Sequence, residues 1–407
     1  MEEYFSRAVS DLDGLRKFTK EDRQALELAD RVADELAVSE FEHYMAHEVN
    51  MDAIKVARKH GLFKIPIQKE FGGLDRGMLV TALVEQRLGQ IGLGVATLFD
   101  VQIFLGALGI QDWGSKAQKD RYLRPAAAGD KIMAFGLTEP DSGSEPTAMK
   151  TTYRKKGSGF VIDGTKYLIS NGGIADAVIV FAKSAESDGK ITAFIIDKGT
   201  PGFSVAMHLK DKIGLFTSDT AMLEFKGVEV PAESVLGEVG KGMHIAYSAL
   251  LNGRIGIASA CVGLVEGCLK ASVDRARTRV QHGKLIGKHQ LVQEHIAEIR
   301  QNLEMARWPT YIAAIKKDAY DANRASKALL ADADLHSSLA KKVASRAAFN
   351  SADRAVQVFG GFGYSLLSPV GQLFCDSRVA RIYEGTDEIQ ELKIAAAVLG
   401  DDFKAFS

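Results

Sequence analysis

The residue best suited to acid–base chemistry lies near the C-terminus, in the stretch Arg381-Ile382-Tyr383-Glu384-Gly385-Thr386. A carboxylate followed by Gly and Thr is weak evidence by itself, because most Glu side chains are solvated. A carboxylate in a dry site is different, because burial moves its pKa toward the pH at which it must take up a proton. Glu384 therefore becomes a candidate base if other chemistry-bearing stretches fold against it.

The second stretch is the turn Phe135-Gly136-Leu137-Thr138-Glu139-Pro140-Asp141-Ser142-Gly143-Ser144. It offers hydroxyls and exposed backbone N–H groups, which can bind phosphates and heteroaromatic edges without Lys or Arg. An ordinary turn has the same composition of Pro, Gly and Ser. Composition alone leaves both interpretations open.

A third stretch is a charged corner, Arg279-Val280-Gln281-His282-Gly283-Lys284 followed by Gly287-Lys288-His289-Gln290. An Arg guanidinium suits pyrophosphate, which it can bind through two N–H groups. The alternative is a solvated cluster of charges. His282 and His289 have no acidic or Cys partner at metal-ligand spacing, so no metal site is predicted.

The stretch Gln357-Val358-Phe359-Gly360-Gly361-Phe362-Gly363-Tyr364 contains Gly-X-Gly, but it follows a predicted helix and so lacks the strand-first context of a dinucleotide fingerprint. It predicts the end of a helix whose glycines let backbone approach a cofactor. Walker, Gly-X-Ser-X-Gly and His-Glu-X-X-His motifs do not occur. Their absence argues against nucleotide hydrolysis, serine esterase and zinc protease chemistry.

The chain divides into three regions that differ in composition and predicted secondary structure, and these regions must position the stretches. Residues 1–130 are predicted to be helical, with Leu26, Ala29, Val32 and Leu36 on one face of a helix over 21–46. A loop over 64–77 precedes a helix over 78–88. The apolar, Gly-rich segment 89–109 predicts a tightly packed buried helix.

Residues 131–236 predict a β domain. An Asp163-Gly164 turn between two strand-like runs over 160–169 predicts a hairpin. Further short strands over 178–181, 191–196 and 222–230 are separated by no helix-length insert, so we expect antiparallel pairing in a small sandwich or barrel.

Residues 237–407 are predicted to be helical again. Glycines in a helix over 241–279 permit close helix packing, and apolar residues from Val292 to Ala306 follow a bundle seam. Pro309 should kink or end that helix, and further helices are expected over 339–358 and 387–399. The fold class is thus mainly α with a β domain: an N-terminal helical domain, a middle antiparallel β domain and a C-terminal four-helix bundle.

Composition narrows the class of function. Lys plus Arg number 51 and Asp plus Glu 52, so a formal charge of -1 gives no sign of a nucleic-acid or anionic-membrane surface. No apolar run approaches the ~20 residues that span a bilayer. Three cysteines, predicted to be core thiols, and residues 1–5, which resemble neither a secretion signal nor a transit peptide, indicate a cytoplasmic protein. A mitochondrial matrix protein whose leader has been removed would look the same.

Together and in this order, the stretches resemble the acyl-CoA dehydrogenase family of flavoproteins, as do Ile169-Ser170-Asn171-Gly172-Gly173 and the segment from Asn252 to Ala258. The resemblance runs from the 64–77 loop to Leu399. It implies the family's helix, β and helix fold, noncovalently bound FAD, a homotetramer and an electron-transferring flavoprotein as electron acceptor. The positions that match FAD contacts are Phe135, Leu137, Thr138, Gly143, Ser144, Leu168, Ile169, Ser170, Arg279, Gln281, His289, Gln290, Gln357, Phe359, Gly360, Gly361, Thr386 and Glu388.

The resemblance also implies the chemistry. Glu384 matches the base that removes the α-proton of an acyl thioester while the β-hydride passes to flavin N5, and its N–H helps to stabilise the enolate oxygen. Ser144, Arg254 and Gly385 match positions near the bound acyl-CoA. An acyl-CoA oxidase, an enoyl-CoA reductase and a non-catalytic acyl-CoA-binding homologue remain alternatives.

Departures from the family pattern leave the acyl group open. Leu168 stands where many relatives have Trp, and Glu388 replaces a common amide. The Asn252 to Ala258 segment and the Arg279 corner are most similar to the glutaryl-CoA dehydrogenase branch, yet Val95-Ala96-Thr97 lacks its carboxylate-binding Arg. Branched, aromatic and dicarboxylic acyl groups of the benzylsuccinyl or glutaryl type are the candidates.

Overall fold

The computed structural model describes residues 9–14, 16–186 and 189–403. The first five residues, which carried the expectation about a leader, lie outside this range. The long helix α1, Lys20–Ala46, begins at a capping box between Thr19 and Asp22 and ends at His47 in the left-handed region. The four apolar residues predicted on one face are buried. Helices α2, Met51–His60, and α3, Met78–Gly89, follow.

A buried helical segment crosses the centre of the molecule. It comprises α4, Leu93–Asp100, a π-helical turn, Val101–Ala107, and α5, Leu108–Trp113. The prediction of a tightly packed buried helix is confirmed. This segment and the later helix Gly242–Thr278 are long and apolar enough to span a membrane, which composition did not lead us to expect, but 100% and 89% of their apolar windows are buried inside the protein. Both therefore behave as core helices.

Short helices α6, Lys116–Gln118, and α7, Arg124–Ala128, lead into the sheet. Its strands are β1 Met133–Gly136, β2 Thr152–Lys156, β3 Gly159–Ser170, β4 Ala177–Ser184, β5 Ile191–Asp197, β6 Phe203–His208, β7 Thr220–Val230 and β8 Val235–Leu236. The order is β6-β7-β3-β2-β4-β5-β8, with β1 beside β4. Most pairs are antiparallel, but β4 pairs in parallel with β1 and β2, so the expectation of purely antiparallel pairing was wrong.

The predicted hairpin at Asp163-Gly164 was also wrong. Residues 159–170 form one continuous strand, and the chain reverses earlier, between β2 and β3. Gly164 has a φ of 149°, at a register shift against β7, and a Cβ there would lie 2.5 Å from the Cα of Thr151. The glycine is therefore used for close backbone approach at a bulge, not for a turn.

The C-terminal region is built on three long helices, α8 Gly242–Thr278, α9 Gln290–Ala322 and α10 Lys327–Phe359, with the shorter α11 Pro369–Ser377 and α12 Asp387–Leu399. Pro309 does not end its helix, which continues for more than three turns beyond it. The predicted close packing is present, because a Cβ at Gly263 would lie 1.9 Å from the carbonyl oxygen of Gln86 in α3. Cys261 and Cys268 are buried in α8, whereas Cys375 is only half-buried.

Candidate active site

Glu384 lies in the short loop between Arg381 and α12. Its φ is 54° and that of Gly385 is 93°, so two consecutive residues are in the left-handed region. The loop is held in this conformation by Lys341, whose Nζ donates to the Gly385 carbonyl at 2.7 Å, and by Gln390, whose Nε2 donates to the same oxygen at 3.0 Å. The backbone around the candidate base is therefore fixed from two helices.

The start of α12 anchors the other side of the loop. Thr386 caps the helix through its hydroxyl. Asp387 is fully buried and accepts from Arg381, Arg346 and Ser345 at 2.9, 3.0 and 2.9 Å. Burial raises the pKa of Asp387, but these hydrogen bonds outweigh it, so the pKa lies below its usual value. The ionised carboxylate locks the loop to α10.

Glu384 lies where two cavities share a wall. One, of 210 Å³, extends between α4 and α8 along Thr97, Asp100, Val101, Leu105 and Arg254. The other, of 420 Å³, extends toward α11 along Lys212, Ile213, Arg378 and Ile382. The shared wall contains Thr138, Gly143, Ser144, Leu168, Ser170, Tyr383, Glu384 and Gly385. The predicted turn and the predicted end of β3 thus meet Glu384.

A buried ion pair supports the turn. Lys166 donates to Glu139 at 2.7 Å and to the Leu137 carbonyl at 3.0 Å. Glu139 also accepts from the N–H groups of Lys150 and Thr151 at 2.6 and 3.0 Å. Burial lowers the pKa of Lys166 to about 8 despite this partner. The turn is therefore tied to the sheet through Glu139 and Leu137.

The end of β3 presents an apolar side chain to the shared wall. Leu168 has a φ of 58° at a register shift between β3 and β7, and 49% of its surface is exposed, whereas Ile169 is buried. Gly143 has open space where a Cβ would be. A bare backbone, hydroxyls at Thr138 and Ser170, and an exposed Leu fit a flat heteroaromatic group with polar edges.

The Glu384 carboxyl belongs to a cluster that sequence patterns did not reveal. Its Oε2 is buried although the residue as a whole is half-buried. Burial raises the pKa of Glu384 to about 7, although Asp100, Lys341 and Arg254 each act to lower this pKa. Asp100 and Glu85, both fully buried, have pKa values raised well above normal by burial and by Glu384. A carboxyl with this pKa can exchange a proton at neutral pH.

Two glycines of α8 make room for these carboxyls. A Cβ at Gly253 would lie 2.1 Å from Oε2 of Glu384, and one at Gly256 would lie 2.1 Å from Oδ1 of Asp100. The glycines are three residues apart and so lie on one face of the helix. The stretch from Asn252 to Ala258 was singled out in the sequence, but its glycines were assigned only to helix packing.

Arg254 lines the smaller cavity but is engaged by protein groups. Its guanidinium donates to Asp334 at 2.8 Å, to Ser338 at 2.6 Å and to the Leu250 carbonyl at 2.8 Å. Only 3% of the residue is exposed. Arg254 thus braces α8 against α10 beside the site.

The remaining predicted residues lie elsewhere in this chain. Val280–Gln281 and Lys284–Leu285 form the hairpin β9 and β10 at the Arg279 corner. Ala276, Ile286 and Val358 pack together, so the corner meets the end of α10. Neither cavity is lined by the corner or by the Gly360 turn. Arg279, Gln281, Gln290, Gln357, Gly360, Gly361 and Glu388 are exposed, while His289 and Phe359 are half-buried.

Comparison with known proteins defines the class. The N-terminal, middle and C-terminal domain models of the acyl-CoA dehydrogenases match residues 19–130, 134–228 and 240–399. The chain belongs to the acyl-CoA dehydrogenase family, whose members are oxidoreductases that use FAD.

Individual relatives support the assignment of this chain to the family. An acyl-CoA dehydrogenase of Bacillus subtilis is 39% identical over 87% of this chain and 91% of its own. A short-chain specific acyl-CoA dehydrogenase of Megasphaera elsdenii is 39% identical over 82% and 85%. The solved butyryl-CoA dehydrogenase of M. elsdenii has a TM-score of 0.88 at 35% identity, covering 94% of this chain and 99% of its own. An acyl-CoA dehydrogenase of Bacillus anthracis complexed with FAD has a TM-score of 0.87 at 29% identity, covering 94% and 67%.

Proposed function

We propose that the protein desaturates the α,β bond of a short acyl-CoA thioester, with Glu384 as the base. The observation that carries this proposal is the buried Glu384 carboxyl, with a pKa raised to about 7, at the wall between two cavities. The α-proton of a thioester is weakly acidic, so a desolvated carboxylate is needed to accept it. Bound FAD supplies the acceptor for the β-hydride.

The shared wall would separate the flavin from the acyl chain. Thr138, Gly143, Ser144, Leu168 and Ser170 would hold the flavin ring, leaving the smaller cavity to the acyl chain. The Glu384 N–H donates to no acceptor in the described part of the chain. It is therefore available to the thioester oxygen as negative charge develops there. Lys341 and Gln390 would keep this N–H in place by fixing the Gly385 carbonyl.

The acyl cavity favours a short aliphatic chain. It has only 210 Å³, and Val101 and Leu105 form its apolar wall. A distal carboxylate would find no unpaired Arg or Lys among the residues that line this cavity, because Arg254 and Lys393 both pair with Asp334. This arrangement disfavours the dicarboxylic candidates, and the small volume disfavours aromatic ones. The short-chain and butyryl names of the M. elsdenii relatives point the same way.

Assembly and partners extend the proposal. The Arg279 corner and the Gly360 turn are adjacent and exposed and line neither cavity at Glu384. This suits binding the pyrophosphate and adenosine of a neighbouring subunit's FAD in a homotetramer. Electrons would leave to an electron-transferring flavoprotein. The domain limits 1–130, 131–236 and 237–407, the cytoplasmic location and the likeness to the glutaryl-CoA branch stay predictions.

The test is a panel of acyl-CoAs added anaerobically to the purified flavoprotein, with flavin bleaching followed by absorbance. Butyryl-CoA should bleach the flavin faster than isovaleryl-, glutaryl- or benzylsuccinyl-CoA. If none of the panel bleached a protein that retains FAD, desaturation would be rejected. If glutaryl-CoA reacted fastest, the short aliphatic assignment would be rejected while the reaction stood.

A further inference from the structure

Asp100 lies at the junction of α4 and the π-helical turn, 1% exposed, and lines the same cavity as Glu384. The Asp100 carboxyl lies beside Gly256 and the Glu384 carboxyl lies beside Gly253, three residues apart on the same face of α8. No donor elsewhere in the described residues reaches Oδ1 of Asp100 or Oε2 of Glu384. Two neighbouring carboxyls in a dry site repel each other when both are ionised, so the pair favours a state in which one of them holds a proton.

The backbone of α8 enforces the pairing. The carboxyls occupy the spaces beside Gly253 and Gly256, where any side chain would collide with them. The end of α4 and the Glu384 loop therefore bring the two carboxyls to the same face of α8, which carries no side chain at these two positions.

The surrounding charges decide which carboxyl keeps the proton. Lys341 on α10 and Arg254 on α8 face Glu384 and favour its ionised form. Asp100 faces Glu384 itself and Glu85 on α3, and both disfavour its ionisation. Neighbouring Tyr383 and Cys261 have pKa values raised by burial and stay neutral. Glu384 therefore ionises first, and Asp100 stays protonated.

We propose that Asp100 is a positioning residue for the base: its protonated carboxyl donates a hydrogen bond to the Glu384 carboxylate and holds it, ionised, at the cavity wall. When the α-proton moves from substrate carbon to Glu384, the Asp100 proton stays on Asp100, and only the hydrogen bond between them weakens. The inference rests on the proposed role of Glu384 as base.

The test compares Asp100→Leu, which removes the donor at similar volume, with Asp100→Asn, which keeps an N–H donor. The pH profile of the rate of flavin bleaching by butyryl-CoA is measured for both holoproteins. In D100L the midpoint should move up by about one pH unit, with a roughly fivefold slower rate at pH 7. D100N should restore the wild-type midpoint. Equal midpoints in wild type and D100L would overturn the proposal, as would equal shifts in D100L and D100N.

Glu266→Gln is the matched control, because Glu266 is a buried carboxyl of α8 that accepts from Gln86 and Gln90 and lines neither cavity; the midpoint of this variant should equal that of wild type within error. A second readout avoids turnover. The pH dependence of unfolding, compared between wild type and E384Q in each Asp100 background, reports the pKa of Glu384 directly. If D100L does not fold, Asp100→Ala replaces it. If E384Q still bleached with substrate, the proposed function would fail, yet the unfolding comparison would still decide whether Asp100 and Glu384 are coupled.

Discussion

Lys341 holds the backbone beside Glu384, because its ammonium donates at 2.7 Å to the carbonyl oxygen of the next residue, Gly385. Lys341 is fully buried, and burial lowers its pKa to about 8. A buried cation held this close favours the ionised base and fixes its backbone at the same time.

Lys341→Met should lower the maximal bleaching rate and raise the pH midpoint of the reaction, because the Gly385 carbonyl loses one of its two donors and Glu384 loses a nearby cation. The lost hydrogen bond from a charged group should also cost about 1.5–3 kcal/mol of unfolding free energy. Stopped-flow bleaching and urea unfolding measure the two effects. Lys342→Met is the control, since Lys342 pairs with Glu391 on the protein surface. Equal effects in both variants would contradict a specific role for Lys341.

Glu384→Gln should keep bound FAD and CoA-thioester binding but lose flavin bleaching, because an amide cannot accept the α-proton. It should also change stability with a definite sign. A carboxyl whose pKa is raised from 4.5 to about 7 binds more protons folded than unfolded, so it lowers stability as pH rises through that window.

At pH 8, E384Q should therefore be more stable than wild type by about 2–3 kcal/mol, with the difference gone by pH 4. Urea unfolding across this range is the measurement, with the exposed Glu294→Gln as control. An E384Q protein that is less stable than wild type at pH 8 and equally stable at pH 4 would show that the Glu384 pKa is depressed instead of raised.

Lys166→Met should destabilise the protein by about 3–5 kcal/mol, because Glu139 would remain as an unpaired buried charge beneath the turn 135–144. FAD affinity should fall with it, since Lys166 also holds the Leu137 carbonyl. Unfolding and FAD titration measure both. Lys150→Met is the matched control, because its pair with Asp141 is exposed, and no measurable stability change is expected. A stable K166M protein with normal FAD affinity would contradict this role.

Arg279→Ala should weaken FAD retention and tetramer stability while each subunit stays folded, because the exposed corner loses its pyrophosphate ligand. FAD dissociation and light scattering on the same sample test this, with circular dichroism to check folding. The nearby Arg277→Ala, also exposed, should leave both unchanged. Unchanged FAD affinity in R279A would refute the assignment.

Sequence patterns predicted the main elements of the fold, because helix periodicity and helix ends depend on residues that are close together in the chain. The helix at 387–399 and the end of α10 at Gly360 follow from such signals. Asp100, Glu85 and Lys341 could not be found in this way, since a charged residue within a helix is normally solvated. Their burial depends on which helices pack together. The error at Asp163-Gly164 has the same origin, because the approach of Thr151 that requires the glycine is a tertiary contact.

The bare face of α8 at Gly253 and Gly256 limits how this enzyme can be redesigned. A cavity for a larger acyl group is usually made by trimming side chains, but this wall has none to trim, and adding one would displace the Glu384 carboxyl. Room for longer substrates has to come from the opposite wall, at Val101 and Leu105. Those residues belong to the π-helical turn that follows Asp100. Substitutions that widen the cavity would therefore also change the surroundings of the Asp100 carboxyl, and with them its pKa.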